Sequence, residues 1–331
     1  MADVSDTPGV PHTMDTPDTT DVPDTPAIPD AAPESTSTTP AAPIMSFPRS
    51  LRVEAALTEL RPLAKYKARS HETSKNTHVP LLQSCLGPDA RPGPSVVFIG
   101  DSMIERMLTT GGSPNFPEPW PSPFLMDDAA LAEANGTTHR FDRAFNAGVG
   151  GDKIENLIYR LVGSEGNDDE EKNLPGLLPL LAEIGTVKVW VVNVGTNNLS
   201  PKKGMPFEFN LAMQTLIGAL LSIRRKDGGP SYVLVSYLFP RLDVPLRFVR
   251  QANKTIKSCS KANQSRYGVG IPDYMEIPLA LEKREWHKDE AEFKEDLAKY
   301  LDDHVHLNLD GYRVWIDRLY GHIDRYVRHQ S

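Results

Sequence analysis

Ser102 stands directly behind Gly100-Asp101, where a short apolar run ends and a helical pattern begins. A hydroxyl at that place lies over a strand's carboxyl end and at a helix N-terminus, whose free N–H groups favour an alkoxide or a tetrahedral oxyanion. Three other places carry residues that could work with it. Gly151 follows a second strand-like run, Asn197 follows a third, and Asp303-His-Val-His306 lies near the C-terminus. Acyl transfer at a serine needs an attacking hydroxyl, a base for its proton, a group that orients the base, and donors aimed at the developing oxyanion. Ser102 would supply the hydroxyl and its own N–H, Gly151 a second N–H, and Asn197 a side-chain N–H. His306 would be the base and Asp303 its orienter, since the three-residue spacing lets a carboxylate reach one ring nitrogen while the other faces the serine. Asp302 lacks that relation, because three residues on is Val305.

Taken singly, these signals also have plain readings. Gly-Asp-Ser and Gly-Gly-Asp are ordinary turn and helix-start chemistry, Asn197 could bond its own backbone, and a late histidine could simply be a surface residue. Asp302, Asp303, His304 and His306 could also ligate zinc, but no further ligand motif occurs elsewhere and the serine turn would then have no purpose. No metal and no cofactor are expected.

The elements that must bring these residues together alternate from Ser95 onward, apolar runs with helix-periodic segments, as in βαβ units with a parallel sheet. Strands are expected at Ser95–Gly100, Arg143–Ala147, Val187–Val194, Tyr232–Leu238 and Val269–Ile271. The helix after Gly151 shows Ile154, Leu157, Ile158 and Leu161 at helical spacing, and the next shows Met213, Leu216, Ile217 and Leu220. A helix over Val244–Asn263 follows, and a last one carries Tyr312, Trp315, Ile316, Leu319 and Ile323. Three turns after three successive strands converge at one sheet edge. Residues 46–94 form a helical lead-in, with a helix capped by Ser46, faced by Leu51, Leu57 and Leu60, and limited by Pro62.

Two segments interrupt the pattern. Residues 111–138 contain Pro114, Pro117, Pro119, Pro121 and Pro123 with Phe116, Trp120 and Phe124, and could either wall a substrate site or pack as a surface insertion. Residues 282–300 are highly charged and read as a solvated helix.

The formal charge of −8 is located in one place. Residues 1–45 hold eight acids and no Lys or Arg, so the remainder carries 36 acids against 36 bases. A neutral body gives no electrostatic case for nucleic acid or an anionic membrane surface. The Pro-, Thr- and Asp-rich tail 1–45 has no aromatic residue and should be disordered. Thr7, Thr16, Thr25 and Thr39, each followed by proline, are candidate phosphorylation sites there. No apolar stretch is long enough to span a membrane and no signal-peptide pattern opens the chain. Cys85 and Cys259 have no metal or redox spacing, so a reduced, cytoplasmic setting is the expectation.

In order and content, Gly100-Asp-Ser102, Asn146-Ala-Gly-Val-Gly-Gly-Asp152, Gly195-Thr-Asn-Asn198 and Asp303-His-Val-His306 resemble the four blocks of the SGNH (GDSL-type) hydrolase superfamily. Their wording is most similar to the catalytic subunits of intracellular platelet-activating-factor acetylhydrolase. The resemblance covers about residues 95–328, within a hydrolase domain 95–331. It implies a flavodoxin-like three-layer α/β/α sandwich with five parallel strands in the order 2-1-3-4-5. It also implies Ser102 as nucleophile, Gly151 and Asn197 as oxyanion donors, and Asp303 and His306 completing a triad. The third block departs from many members by ending in Asn198 rather than Asp. The expected activity is hydrolysis of a carboxylic ester, of a short acyl group such as acetyl, through an acyl-enzyme. Longer acyl chains, as in a lysophospholipase or thioesterase, and a non-catalytic binding module are the alternatives. Whether the ester is lipid or carbohydrate, and whether the chain pairs as a homodimer, stay open.

Overall fold

Four five-residue runs, three of them rich in β-branched residues and each closed by Gly, Asn or Ser, build the centre of the molecule. The computed structural model describes residues 49–107, 143–164, 172–267, 273–275 and 290–328. All belong to the unit Ser46–Ser331. The expectations for the tail 1–45 and its Thr-Pro sites, for the insertion 111–138 and for a strand at Val269–Ile271 lie outside the described residues.

Strand β1 (Val96–Gly100) runs parallel to β2 (Ala144–Gly148) on one side and to β5 (Val189–Asn193) on the other, and β5 is followed by β6 (Tyr232–Ser236). Val96 faces Ala144 and Val189, which puts Gly100, Gly148 and Asn193 level at one end of the sheet. A three-residue segment, β7 (Asp273–Met275), is registered parallel to β6 with Leu234 opposite Asp273. Between β2 and β5 lies a short antiparallel ribbon, β3 (Gly163–Ser164) with β4 (Leu174–Pro175). Where these strands depart from their expected limits they do so by one or two residues, because pairing rather than apolar run length sets where a strand stops.

Helices flank the sheet on both faces. Alternate residues of β1 show it: Val97 and Ile99 join one buried cluster, Val96 and Phe98 the other. The first cluster takes in α1 (Arg49–Leu60), the short helix α3 (Val79–Gln83), α5 (Ile154–Val162), α6 (Leu177–Ile184), α7 (Glu208–Ser222) and α8 (Leu246–Tyr267), while the short helix α2 (Ala68–Thr73) precedes α3 in the chain. The second takes in the one-turn helix α4 (Ser102–Glu105), α9 (Glu290–Ala298) and α10 (Leu309–Arg328), with Tyr312, Trp315, Ile316, Leu319 and Ile323 all buried. No helix among the described residues is long and apolar enough to cross a membrane.

Two expectations are corrected. Leu57 and Leu60 of the lead-in are buried, but Leu51 is 55% exposed, since the face that meets α7 is narrower than the leucine spacing suggests. The charged run is not a wholly solvated helix: Phe293 and Leu297, one turn apart on α9, are buried against α10 and its neighbours. Two such side chains contribute about 1.5–3 kcal/mol each, enough to dock a helix that is otherwise Glu, Asp, Lys and Ala.

Candidate active site

The Asp101 carboxylate accepts from the Met103 amide at 3.0 Å and so caps α4, which makes Ser102 its first residue. Gly100, just before, has no alternative: a Cβ there would overlap the carbonyl oxygen of Asn193 on the next strand. The pair Gly100-Asp101 therefore lets the chain leave a closely packed strand and turn at once into a helix. Tyr312 of α10 anchors that turn by donating to the Met103 carbonyl at 2.9 Å.

Ser102 Oγ lies 2.9 Å from His306 Nε2, and His306 Nδ1 lies 2.7 Å from Asp303 Oδ2. The other Asp303 oxygen accepts from the amides of Val305 and His306, both at 2.7 Å. Partial burial works against the charge on Asp303, but the His306 amide and imidazole and the Val305 amide outweigh it and hold the carboxyl at about 2. It is ionised throughout the neutral range. The loop that carries it is pinned at both ends, by Asp302 N–H to the His306 carbonyl (2.8 Å) and by Leu242 N–H to the His304 carbonyl (2.9 Å).

Val149-Gly-Gly-Asp152 forms a β-turn closed by Asp152 N–H to the Val149 carbonyl at 3.1 Å. Positive φ at Gly151 alone of the two central residues (+76°) makes it type II. Asn197 donates one Nδ2 proton to the Asp152 carbonyl at 2.9 Å, which ties the third turn to the second and leaves its other N–H proton available. Neither the Ser102 nor the Gly151 amide donates to another described residue. Asn198 does different work: it accepts from the Ile154 amide and donates to Glu155, fixing the start of α5.

Among solved structures the chain is similar to a lipase/acylhydrolase from Enterococcus faecalis, with 16% identity over 70% of this chain and 95% of that one at a TM-score of 0.42. It is similar also to the acetylxylan esterase Axe2 from Geobacillus stearothermophilus, with 14% identity over 70% and 95% at 0.43. A third is the carbohydrate acetylesterase Est24 from Sinorhizobium meliloti, with 16% identity over 70% and 99% at 0.38. All three TM-scores lie below 0.5, so function is taken from the chain's own geometry. No family model and no curated protein matches the chain.

Beneath the turn lies a buried ionic knot that sequence reasoning missed. Asp152 and Arg160 are both fully buried, with Arg160 Nε 2.9 Å from Asp152 Oδ2. The same guanidinium donates to the carbonyls of Ala147 (2.8 Å) and Gly100 (3.2 Å), holding the ends of β2 and β1 level. Ser70 donates to the other Asp152 oxygen, and Lys67 Nζ lies 3.5 Å from it. No short motif marks these partners, because Lys67 and Ser70 lie more than eighty positions before Asp152. A charged residue on the apolar side of α5 was the only available sign.

The zinc alternative is not assembled. Asp302 pairs with Arg106 at 3.4 Å, His304 is exposed, and no group of three or more His, Cys, Asp or Glu among the described residues is placed to hold a metal ion.

Proposed function

We propose that the chain is a serine hydrolase of carboxylic esters in which Ser102 attacks, His306 transfers protons, Asp303 orients His306, and Ser102 N–H, Gly151 N–H and Asn197 Nδ2 receive the oxyanion. The observation that carries this reading is the unbroken line from Ser102 Oγ through His306 to an ionised Asp303. Ser102 Oγ passes its proton to His306 Nε2 as it bonds to the ester carbonyl carbon, and Asp303 stabilises the imidazolium formed. The tetrahedral intermediate collapses by breaking the bond to the alcohol oxygen, which takes the proton from His306. Water then repeats the sequence on the acyl-enzyme, releasing the acid and restoring Ser102.

The finer reading is a short acyl group, acetyl by preference, and its support is the likeness of the sequence blocks to platelet-activating-factor acetylhydrolase subunits. The same likeness supports SGNH membership, a hydrolase domain 95–331 behind a lead-in 46–94 and a tail 1–45, and a five-stranded sheet with β7 outermost, which the parallel register of β7 on β6 favours. Cys85 and Cys259, both free and buried, favour a reducing, cytoplasmic compartment.

The test is fluorophosphonate labelling of wild type and Ser102→Ala, read by intact mass, with turnover of p-nitrophenyl esters from acetate to dodecanoate. Labelling at Ser102 and fastest turnover of acetate is expected. An optimum at long chains overturns the acetyl preference, and an unlabelled, inactive wild type moves the reading to a binding module.

A further inference from the structure

Gly151 can serve an oxyanion only if its N–H faces the site, and its own sequence does little to ensure that. The N–H belongs to the Gly150–Gly151 peptide, the central peptide of the type II turn, and rotation of that one unit interconverts type II with type I geometry. With glycine on both sides, no Cβ opposes the rotation. The peptide is planar and trans, so whatever holds the Gly150 carbonyl also aims the Gly151 N–H in the opposite direction.

Lys67 holds that carbonyl. Its Nζ donates to Gly150 O at 3.2 Å and lies 2.9 Å from where a Cβ on Gly151 would stand, so it sits directly on the turn. The ammonium is itself placed by the buried Asp152 carboxylate at 3.5 Å. It comes from the lead-in rather than from any of the four blocks. The segment around it is stitched to the same region: Lys65 N–H donates to the Glu155 carbonyl (2.9 Å), Asn156 Nδ2 to the Lys65 carbonyl (3.0 Å), and Ser70 to Asp152.

We infer that Lys67 is a positioning residue for ester hydrolysis, which locks the Gly150–Gly151 peptide so that the Gly151 N–H points at the oxyanion. The inference rests on the proposed function. A cation on the carbonyl also polarises the peptide, making its N–H a better donor at the moment charge develops. The interaction is made to the turn and not to the substrate, so its loss should appear in the chemical step.

The experiment compares full-length wild type, Lys67→Met and Lys67→Arg by kcat and KM on p-nitrophenyl acetate, by thermal melting, and by phosphonate labelling of Ser102. Lys67→Met keeps most of the stem and removes the donor, and should lower kcat on the order of 10- to 10²-fold with KM little changed. Lys67→Arg, still a cationic donor, should recover most of that loss. A Lys67→Met protein with wild-type kcat overturns the inference. So does an Arg variant that melts like wild type yet loses as much kcat as Met, or a loss in Met that appears only in KM. If Met fails to melt cooperatively, Lys67→Arg and Lys67→Gln decide on the same kcat scale, and wild-type kcat in Gln overturns it. Failure of wild type to label at Ser102 is a separate result, which removes the esterase reading and this role with it.

Discussion

Asp303 both holds the His306 imidazole and folds the loop that carries it: one carboxylate oxygen takes the imidazole at 2.7 Å while the other takes the His306 amide at 2.7 Å. On the proposed roles, a base and its orienter three residues apart are thus built into one turn. Replacing Asp303 removes a tautomer constraint and a turn together.

Asp303→Asn should therefore lower kcat by about 10³–10⁴-fold, the amide favouring the wrong ring tautomer. The carboxyl is held below its unfolded value, so its stabilising effect is complete above about 4 and disappears as pH falls through about 2. The melting-temperature gap between wild type and Asp303→Asn should narrow over that window. A gap that stays constant down to pH 2 would contradict the assignment of the charge.

Asn197→Ala should cost on the order of 10²–10³ in kcat with modest change in KM, since the donor acts on charge present only in the transition state. Steady-state kinetics on p-nitrophenyl acetate reads this directly. Wild-type kcat would exclude Asn197 from the oxyanion site.

Arg160→Met should destabilise the fold by about 3–5 kcal/mol, because it leaves the buried Asp152 charge without its main partner. Two strand-end carbonyls, of Ala147 and Gly100, lose a donor as well. Urea denaturation measures the loss. A change under about 1 kcal/mol would mean that Lys67 and Ser70 alone satisfy Asp152.

Asp101 behaves in the opposite sense to Asp303. Burial pushes its carboxyl up to about 6, against the Met103 amide and Thr196, which favour the charged form. The folded state then holds a proton that the unfolded state has released, so stability falls as pH rises from about 4 to about 6. Asp101→Asn, which can still accept from the Met103 amide, should flatten that part of the stability profile. Denaturation midpoints at pH 4 and 7 that shift equally in both proteins would refute it.

That Ser102, His306 and Asp303 meet was legible in the sequence because each is announced locally, by a turn after an apolar run or by a fixed three-residue spacing. The sheet was legible for the same reason, through continuous apolar strands between glycines. Lys67 and Arg160 were not, since their meaning lies wholly in partners brought near by the fold. Leu51 and Phe293 failed in opposite directions: one apolar residue stays more than half exposed, and one charged segment had just enough apolar surface to dock. Periodicity reports what a helix could bury, and only the surrounding elements decide what it does bury.

Ser102 and His306 are separated by 204 positions, and the described strands of the sheet that carries Ser102 precede His306. During synthesis Ser102, the Gly150–Gly151 turn and Lys67 emerge long before His306, the proposed proton acceptor. Until the segment between α9 and α10 has left the ribosome and closed over β1, the growing chain carries an ordinary alcohol. Under the proposed mechanism reactivity arrives late, and only in molecules whose second face of the sheet is covered.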